Sequence, residues 1–350
     1  IVGTNDRLWG IDFNKTGTIA FIVQSQVTDD KIWKLELSTP YDLTTSSITD
    51  TYITTDYDID YPYSLTVADD YLIIHGNTNQ NGRAFTYFDS SVIGTINALE
   101  TEATMLGRAY IDTSDANAEY DYYSGNITIL DNGTKVMYSG NYRDGSNNLH
   151  RDLRISTLST AYDISTSSTA SSINELENLS GYPMLDKVSK DHWISDDGMT
   201  LYVMFSNTAT GQQFWYRSIY KFSLSSAWDI TTVTSWNPTQ TFTLTSSTTA
   251  EEAAGMGSSD HFPISFWFNN DGSKLFVLTG YPNWNQDVQM LEYPLSTPYD
   301  LSTAGTRSWH NFEATSTTNQ VSGGTQFVPT RVEFNDDGTK LYGVFSASGF

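Results

Sequence analysis

The residues of this chain best suited to chemistry are aromatics set beside polar groups. Tyr281, Asn283, Trp284 and Asn285 share one short stretch, Phe214, Trp215 and Tyr216 a second, and Tyr142, Arg143 and Asp144 a third, while Tyr57, Tyr61 and Tyr182 stand in others. Rings flanked by Asn, Asp and Arg suit stacking on sugar rings while the polar groups fix hydroxyls, and they suit a protein interface equally well. About half of such rings are expected only to pad loops against the body of the protein. Trp284 and Tyr142 are read as binding residues, and Phe214 as padding.

The charged candidates point to weaker chemistry. Asp56, Asp58 and Asp60 alternate, so an extended chain would aim three carboxylates one way, as a hard cation such as Ca²⁺ requires. The Gly turn of an EF-hand is absent there, and a solvated strand edge is the preferred reading. Asp112, Asp115, Glu119 and Asp121 form a second acidic group of the same kind. His192 and His261 each follow Asp and precede an aromatic, but they lie six and eleven residues before their turn glycines, Gly198 and Gly272, so structural roles are preferred to a catalytic or metal-binding pair. Glu100, Glu102, Glu175, Glu177, Glu251 and Glu252 are the carboxylates from which a polysaccharide-cleaving pair would be drawn. No Gly-rich phosphate loop and no Ser/His/Asp order stands out.

What must position these residues is a repeat. The stretch VEFNDDGTKLYGVF from Val332 recurs as WFNNDGSKLFVL from Trp267, WISDDGMTLYVMF from Trp193, ITILDNGTKVMY from Ile127 and IDFNKTGTIAFIV from Ile11, with a worn copy, LTVADDYLIIHG, from Leu65. Each reads as a tight hairpin. Asp and Asn side chains bond nearby backbone amides, and Gly17, Gly133, Gly198, Gly272 or Gly338 takes the positive φ that closes the turn. Beyond the Gly, alternation such as Leu341, Gly343, Phe345 against Tyr342, Val344 fits a strand covered on both faces.

A second element follows: LSTPYDLTT from Leu37, LSTAYDIST from Leu158, LSSAWDITT from Leu224 and LSTPYDLST from Leu295. Thr39, Thr160, Ser226 and Thr297 stand three residues before Asp42, Asp163, Asp229 and Asp300, the spacing of a capping box, with Pro40 and Pro298 in the first turn of a short helix. The gap from turn Gly to that Thr or Ser is 22, 27, 28 and 25 residues in the four copies, so only one hairpin loop varies.

Each unit therefore spells four strands, A and B around the Gly turn, then C, then D after the capped turn. Turn glycines lie 65, 74 and 66 residues apart from Gly133 onward, and the 116 residues between Gly17 and Gly133 hold two units. Repeats of this size without helices between them predict an all-β fold, a β-propeller of four-stranded blades, whereas a β-solenoid usually has much shorter coils. Six blades are counted, or seven if a large part is unaccounted for. Their approximate bounds in a single domain are 7–61, 62–112, 113–183, 184–262, 263–329 and 330–350, the last closing with 1–6. In the second blade, FTYFDSSVIGTI from Phe85 is expected to replace the capped turn. Only 12 residues follow Gly338 and 16 precede Gly17, so the closing blade is expected to be incomplete or the natural polypeptide to continue past Phe350.

In such a blade the A–B and C–D turns lie at one end and the B–C and D–A loops at the other. The first end is uniform, while the second carries everything that differs among repeats, which is where recognition usually resides. The aromatic stretches fall at this second end.

Composition narrows the partners. A net charge of −23, from 18 Lys and Arg against 41 Asp and Glu, argues against nucleic acid, whose phosphates demand a basic footprint, and against an anionic membrane surface. No stretch approaches the roughly 18 consecutive apolar residues of a membrane helix. The absence of Cys leaves the redox compartment undecided.

The combination F-x-x-D-G-x-K-L-Y followed by LSTPYDLST resembles propeller repeats in structural and tail-associated proteins of marine tailed phages and in exported proteins of aquatic bacteria. The resemblance covers essentially the whole chain and implies an extracellular or virion component, a structural or adhesion module, without any catalytic motif to carry over. Two functions from different classes follow. The preferred one is a non-enzymatic module that binds a glycan or a partner protein, which includes other subunits of a virion or filament. The alternative is a propeller glycoside hydrolase or lyase.

Overall fold

The computed structural model describes residues 7–25, 31–53, 60–68, 71–78, 82–89, 105–110, 127–143, 149–163, 166, 171–173, 187–207, 217–244, 262–280, 289–311, 327–334 and 339–347. Sheet one holds β1 (Arg7–Phe13), β2 (Ile19–Ser25), β3 (Lys31–Leu37) and β4 (Ser46–Ile53). Sheet two holds β5 (Asp60–Ala68), β6 (Tyr71–Thr78), β7 (Gly82–Asp89) and β8 (Met105–Tyr110). Sheet three holds β9 (Ile127–Leu130), β10 (Lys135–Arg143), β11 (Leu149–Thr157) and β12 (Ser171–Ile173). Sheet four holds β13 (Lys187–Ile194), β14 (Thr200–Asn207), β15 (Arg217–Ser223) and β16 (Gln240–Thr243). Sheet five holds β17 (Phe262–Phe268), β18 (Lys274–Gly280), β19 (Gln289–Pro294) and β20 (Ser308–Asn311), and β21 (Phe327–Phe334) pairs with β22 (Leu341–Ala347). Every sheet is antiparallel with its strands in chain order. Of the stretch expected to replace the capped turn in the second blade, Phe85–Asp89 belongs to β7 and pairs with β6, and the rest lies outside the described residues. The first strand of the sixth sheet starts at Phe327.

The A–B turns form as their side chains require. Asn14 Oδ1 accepts from the N–H groups of Thr18 and Ile19 at 2.9 and 3.0 Å, and Asn269 Oδ1 accepts from Lys274 N at 2.8 Å. Gly17, Gly198 and Gly272 close these turns at φ of 68°, 70° and 68°.

The second element differs from a capping box begun at Thr or Ser. Thr39–Asp42 is a turn closed by Asp42 N donating to Thr39 O at 3.1 Å, with Pro40 at its first central position and Tyr41 at φ 55° at its second. That is type II geometry, whose second central site normally takes Gly. Asp42 is itself the cap, accepting from Thr44 N at 3.0 Å to start a single 3-10 turn, Leu43–Thr45. Asp229 and Asp300 do the same for Ile230–Thr232 and Leu301–Thr303. The capping register is thus three residues later than the spacing implied, because Pro-aromatic demands a turn before any helix can begin.

The sheets pack face to face in sequence order. Leu130, Met137, Leu153 and Ile155 of sheet three meet Ile194, Leu201, Val203 and Phe222 of sheet four. Tyr202, Met204 and Ile219 on the reverse of sheet four meet Phe266, Phe268, Leu275 and Val277 of sheet five. Strand β14 is therefore covered on both faces. Leu278 packs with Trp267 and Leu341, and Tyr342 packs with Ile11, Phe13 and Tyr41, so the sixth sheet lies against both the fifth and the first. Strand β5 lies against β1 and against β9. Four-stranded antiparallel sheets stacked about a common centre make this an all-β propeller.

Candidate functional site

At the uniform end, the two repeated turns of sheets one, three, four and five are built into one clasp. The aromatic of the C–D turn donates its N–H to the carbonyl of the turn Gly: Tyr41 to Gly17 at 2.8 Å, Tyr162 to Gly133 at 2.7 Å, Trp228 to Gly198 at 2.9 Å and Tyr299 to Gly272 at 2.9 Å. Each ring lies flat over that Gly, where a Cβ would sit 2.2–2.5 Å from its atoms. Tyr41 and Tyr299 add hydroxyl bonds to the carbonyls of Lys15 at 3.1 Å and Asn270 at 2.9 Å. Four acidic side chains here are hydrogen-bonded within the turns. Hydrogen bonds from Thr44, Ser195, Ser273 and Ser302 hold Asp42, Asp197, Asp271 and Asp300 below the usual carboxylate range. In the described turns these hydrogen bonds are made among the clasp's own residues.

The opposite end is where the strands carrying the aromatic stretches finish. Strand β18 ends at Gly280 and β19 starts at Gln289, with Thr279 paired to Gln289. The connection bearing Tyr281, Asn283 and Trp284 lies outside the described residues, as does the one bearing Trp215 and Tyr216 between β14 and β15. Tyr142 and Arg143 are the last residues of β10, opposite His150 and Leu149. Tyr61 lies near the start of β5, whereas Tyr57 is outside the described residues. Among the described residues, Tyr142, Arg143 and Tyr61 therefore lie at the B–C and D–A end. Of the acidic row, Asp60 opens β5 at a register shift, and Asp56 and Asp58 are outside the described residues. Among the described residues no group of three or more His, Asp or Glu could hold a metal. The six candidate glutamates, His261 and the second acidic group also lie outside them.

His192 is enclosed, with 3% of its surface exposed. Burial holds its pKa down at about 3, so the imidazole is neutral. One ring nitrogen, Nε2, shares a hydrogen bond with Thr128 Oγ1 at 3.3 Å, and Nδ1 has no partner. Such a group staples sheet three to sheet four. His310 lies 3.6 Å from Glu292, which also meets Lys274 at 2.7 Å.

Two features escaped the sequence pattern. Asp191, buried beside His192, accepts from Ser265 Oγ at 2.7 Å and Phe266 N at 2.9 Å on the next sheet, and Asp12 accepts from Val67 N at 2.8 Å in the same manner. Nothing local marks those carboxylates. The aromatic–Gly clasp did have a signal, since the second repeat lacks both the turn Gly and the Pro/Ala-aromatic-Asp motif.

No protein-family profile and no curated protein matches the chain. Among solved structures it is similar to a chain of a nidogen/laminin complex, at TM-score 0.43 and 8% identity over 86% of this chain and 79% of that one. It is also similar to the β-propeller domain of Cps50 (Swd1) from Myceliophteria thermophila, at TM-score 0.43 and 9% identity over 97% and 82%. At that level neither assigns a partner or an activity, and the fold rests on the sheet topology.

Proposed function

We propose that this chain is a six-bladed propeller acting as a non-enzymatic extracellular or virion-associated binding module, which holds a partner protein or a glycan at its B–C and D–A end. The observation that carries this reading is the contrast between the two ends. One is closed by the same Gly–aromatic clasp in four sheets. The other varies in length and composition from repeat to repeat and concentrates Tyr, Trp and Arg, the residues that dominate interface energetics. The six-blade count is supported by sheets that touch in chain order, with the last against the first. Trp284, Tyr281, Asn283, Trp215, Tyr216, Tyr142, Arg143, Tyr57 and Tyr61 are the binding residues in this reading, with Asp56, Asp58 and Asp60 as its Ca²⁺ row. No helix among the described residues is long and apolar enough to cross a membrane.

The test is a panel of Trp284→Ala, Tyr142→Ala and Trp215→Ala chains beside a Thr44→Ala chain altered at the clasp end. Each is applied to a glycan array and used as bait for structural proteins of the source particle or cell surface. Loop variants should lose at least tenfold in affinity for whatever the parent binds, and the Thr44 variant should keep it. Loss confined to the Thr44 variant would move the working surface to the other end.

A further inference from the structure

The A–B turn of sheet three is built unlike those of sheets one, four and five. Where Asn14, Ser195 and Asn269 accept main-chain N–H groups across their turns, sheet three has Leu130, an apolar side chain buried in the core. In the turns closed by Gly17, Gly198 and Gly272 only the Gly lies at positive φ, whereas here Asp131 and Asn132 both stand at 51° ahead of Gly133 at 82°. Two successive non-Gly residues in the left-handed region make a strained turn.

At the tip of this turn stands an amide that nothing holds. The matching residues of sheets four and five, Asp197 and Asp271, accept from the N–H two residues on, Met199 at 2.9 Å and Ser273 at 2.8 Å. Asn132 is exposed, and its side chain makes no hydrogen bond among the described residues. The main-chain nitrogen that follows it is confined instead. Gly133 is buried, its N–H donates to Leu130 O at 3.1 Å, and Tyr162 lays its ring over it while donating to its carbonyl at 2.7 Å. A Gly nitrogen, with no Cβ beside it to crowd the approach, is the main-chain nucleophile best able to reach an Asn carboxamide, so the clasp is what keeps the two apart. The chain's other Asn-Gly pair, at 81–82, has its Asn outside the described residues.

We propose that Asn132 is a site of self-modification gated by the clasp of sheet three. When the clasp opens, the nitrogen of Gly133 attacks Cγ of Asn132, a C–N bond forms as the carboxamide C–N bond breaks, and ammonia leaves with the Gly proton. Water then opens the resulting five-membered imide at either carbonyl. One product is aspartate, which gives the third repeat the Asp-Gly turn of Asp197-Gly198 and Asp271-Gly272. The other is isoaspartate, whose main chain runs through Cβ and is one carbon longer, which shifts the Gly133 carbonyl from the Tyr162 N–H and keeps the clasp open. Asp197 and Asp271 are the internal controls. Hydrogen bonds from Ser195 and Ser273 keep them ionised, and an ionised carboxylate does not lose the oxygen that ring closure requires. The change lies away from the variable loops, so it stands or falls independently of the function proposed above.

The test incubates the full chain, beside a free peptide with the sequence of residues 127–138, at physiological pH and temperature. Peptide mapping follows the mass gain of amide-to-acid conversion, and isoaspartate-specific methylation follows the longer product. Conversion at Asn132 is expected in the full chain, roughly tenfold or more slower than in the peptide because attack waits on local opening, with none at Asp197 or Asp271. Tyr162→Ala, which removes the ring over Gly133, should recover at least threefold of that difference. Should that variant not fold, the parent in urea below its unfolding transition serves instead, and its rate should rise with urea. Conversion as fast as in the peptide, none at all, a rate unmoved by Tyr162→Ala or by mild urea, or a rate that rises only with global unfolding overturns the proposal.

Discussion

Tyr41, Tyr162, Trp228 and Tyr299 hold φ between 55° and 63°, a region that costs a bulky residue about 1–2 kcal/mol. Each offsets that cost with an N–H bond to a Gly carbonyl and a ring laid on the Gly itself. His192 shows the same dependence on surroundings, for its burial is bearable only while it stays neutral. Because its folded pKa of about 3 lies below the ordinary 6.5, the unfolded chain takes up a proton as pH falls below 6.5 and the native chain does not. Stability is therefore complete above that pH and falls by about 1.4 kcal/mol per unit below it. Urea midpoints between pH 6.5 and 5 should drop more steeply for the parent than for His192→Leu, and parallel curves would mean that the imidazole is not enclosed.

Two turns far apart in sequence make one element. Sheet five illustrates it: a Cβ on Gly272 would lie 2.3 Å from the Tyr299 ring, at a φ of 68° that disfavours alanine in any case. Gly272→Ala is expected to cost more than about 1 kcal/mol by the backbone alone, and Tyr299→Ala to weaken the clasp separately. The double variant should be less destabilised than the sum, with a coupling of about 0.5–3 kcal/mol, because the clash needs the ring. Equilibrium unfolding of the four proteins measures this, and simple additivity would show that the two turns do not act together.

At the scale of the molecule, the contact that joins the ends of the chain is made by Tyr342 and Lys340 on the Tyr41 carbonyl, with Phe13 4.4 Å from the Tyr342 ring centre to centre. If the last sheet seals the first, losing one of these hydrogen bonds is felt throughout. Tyr342→Phe should lower global stability by about 1 kcal/mol in a single cooperative transition. It should also speed hydrogen exchange in β1 as well as in β22. Faster exchange restricted to β22 would mean that the sixth sheet frays independently and closes nothing.

Much of this architecture was legible without coordinates because it is written in short-range rules. Period-two alternation names the strands, as in Leu201–Met204. A Gly after Asn or Asp names the turn, and the constancy of one gap beside the variability of another separates the uniform end from the varied one. The capping register was misplaced by three residues because Pro40 and Pro298 read as helix starts, when the tyrosine after each is held at positive φ by a Gly more than twenty residues away. Of the candidate site, only the strand ends at Arg143, Asn207 and Gly280 could be placed, since loop conformation follows from no period. The sequence by itself determined the repeat, its strands and its two unlike ends. The tertiary structure decided what joins them: Tyr41 over Gly17, Asp191 reaching Phe266, Tyr342 meeting Tyr41. The first pair meets only when the strands of one sheet align and the other two only when sheets stack, so no local pattern can encode them.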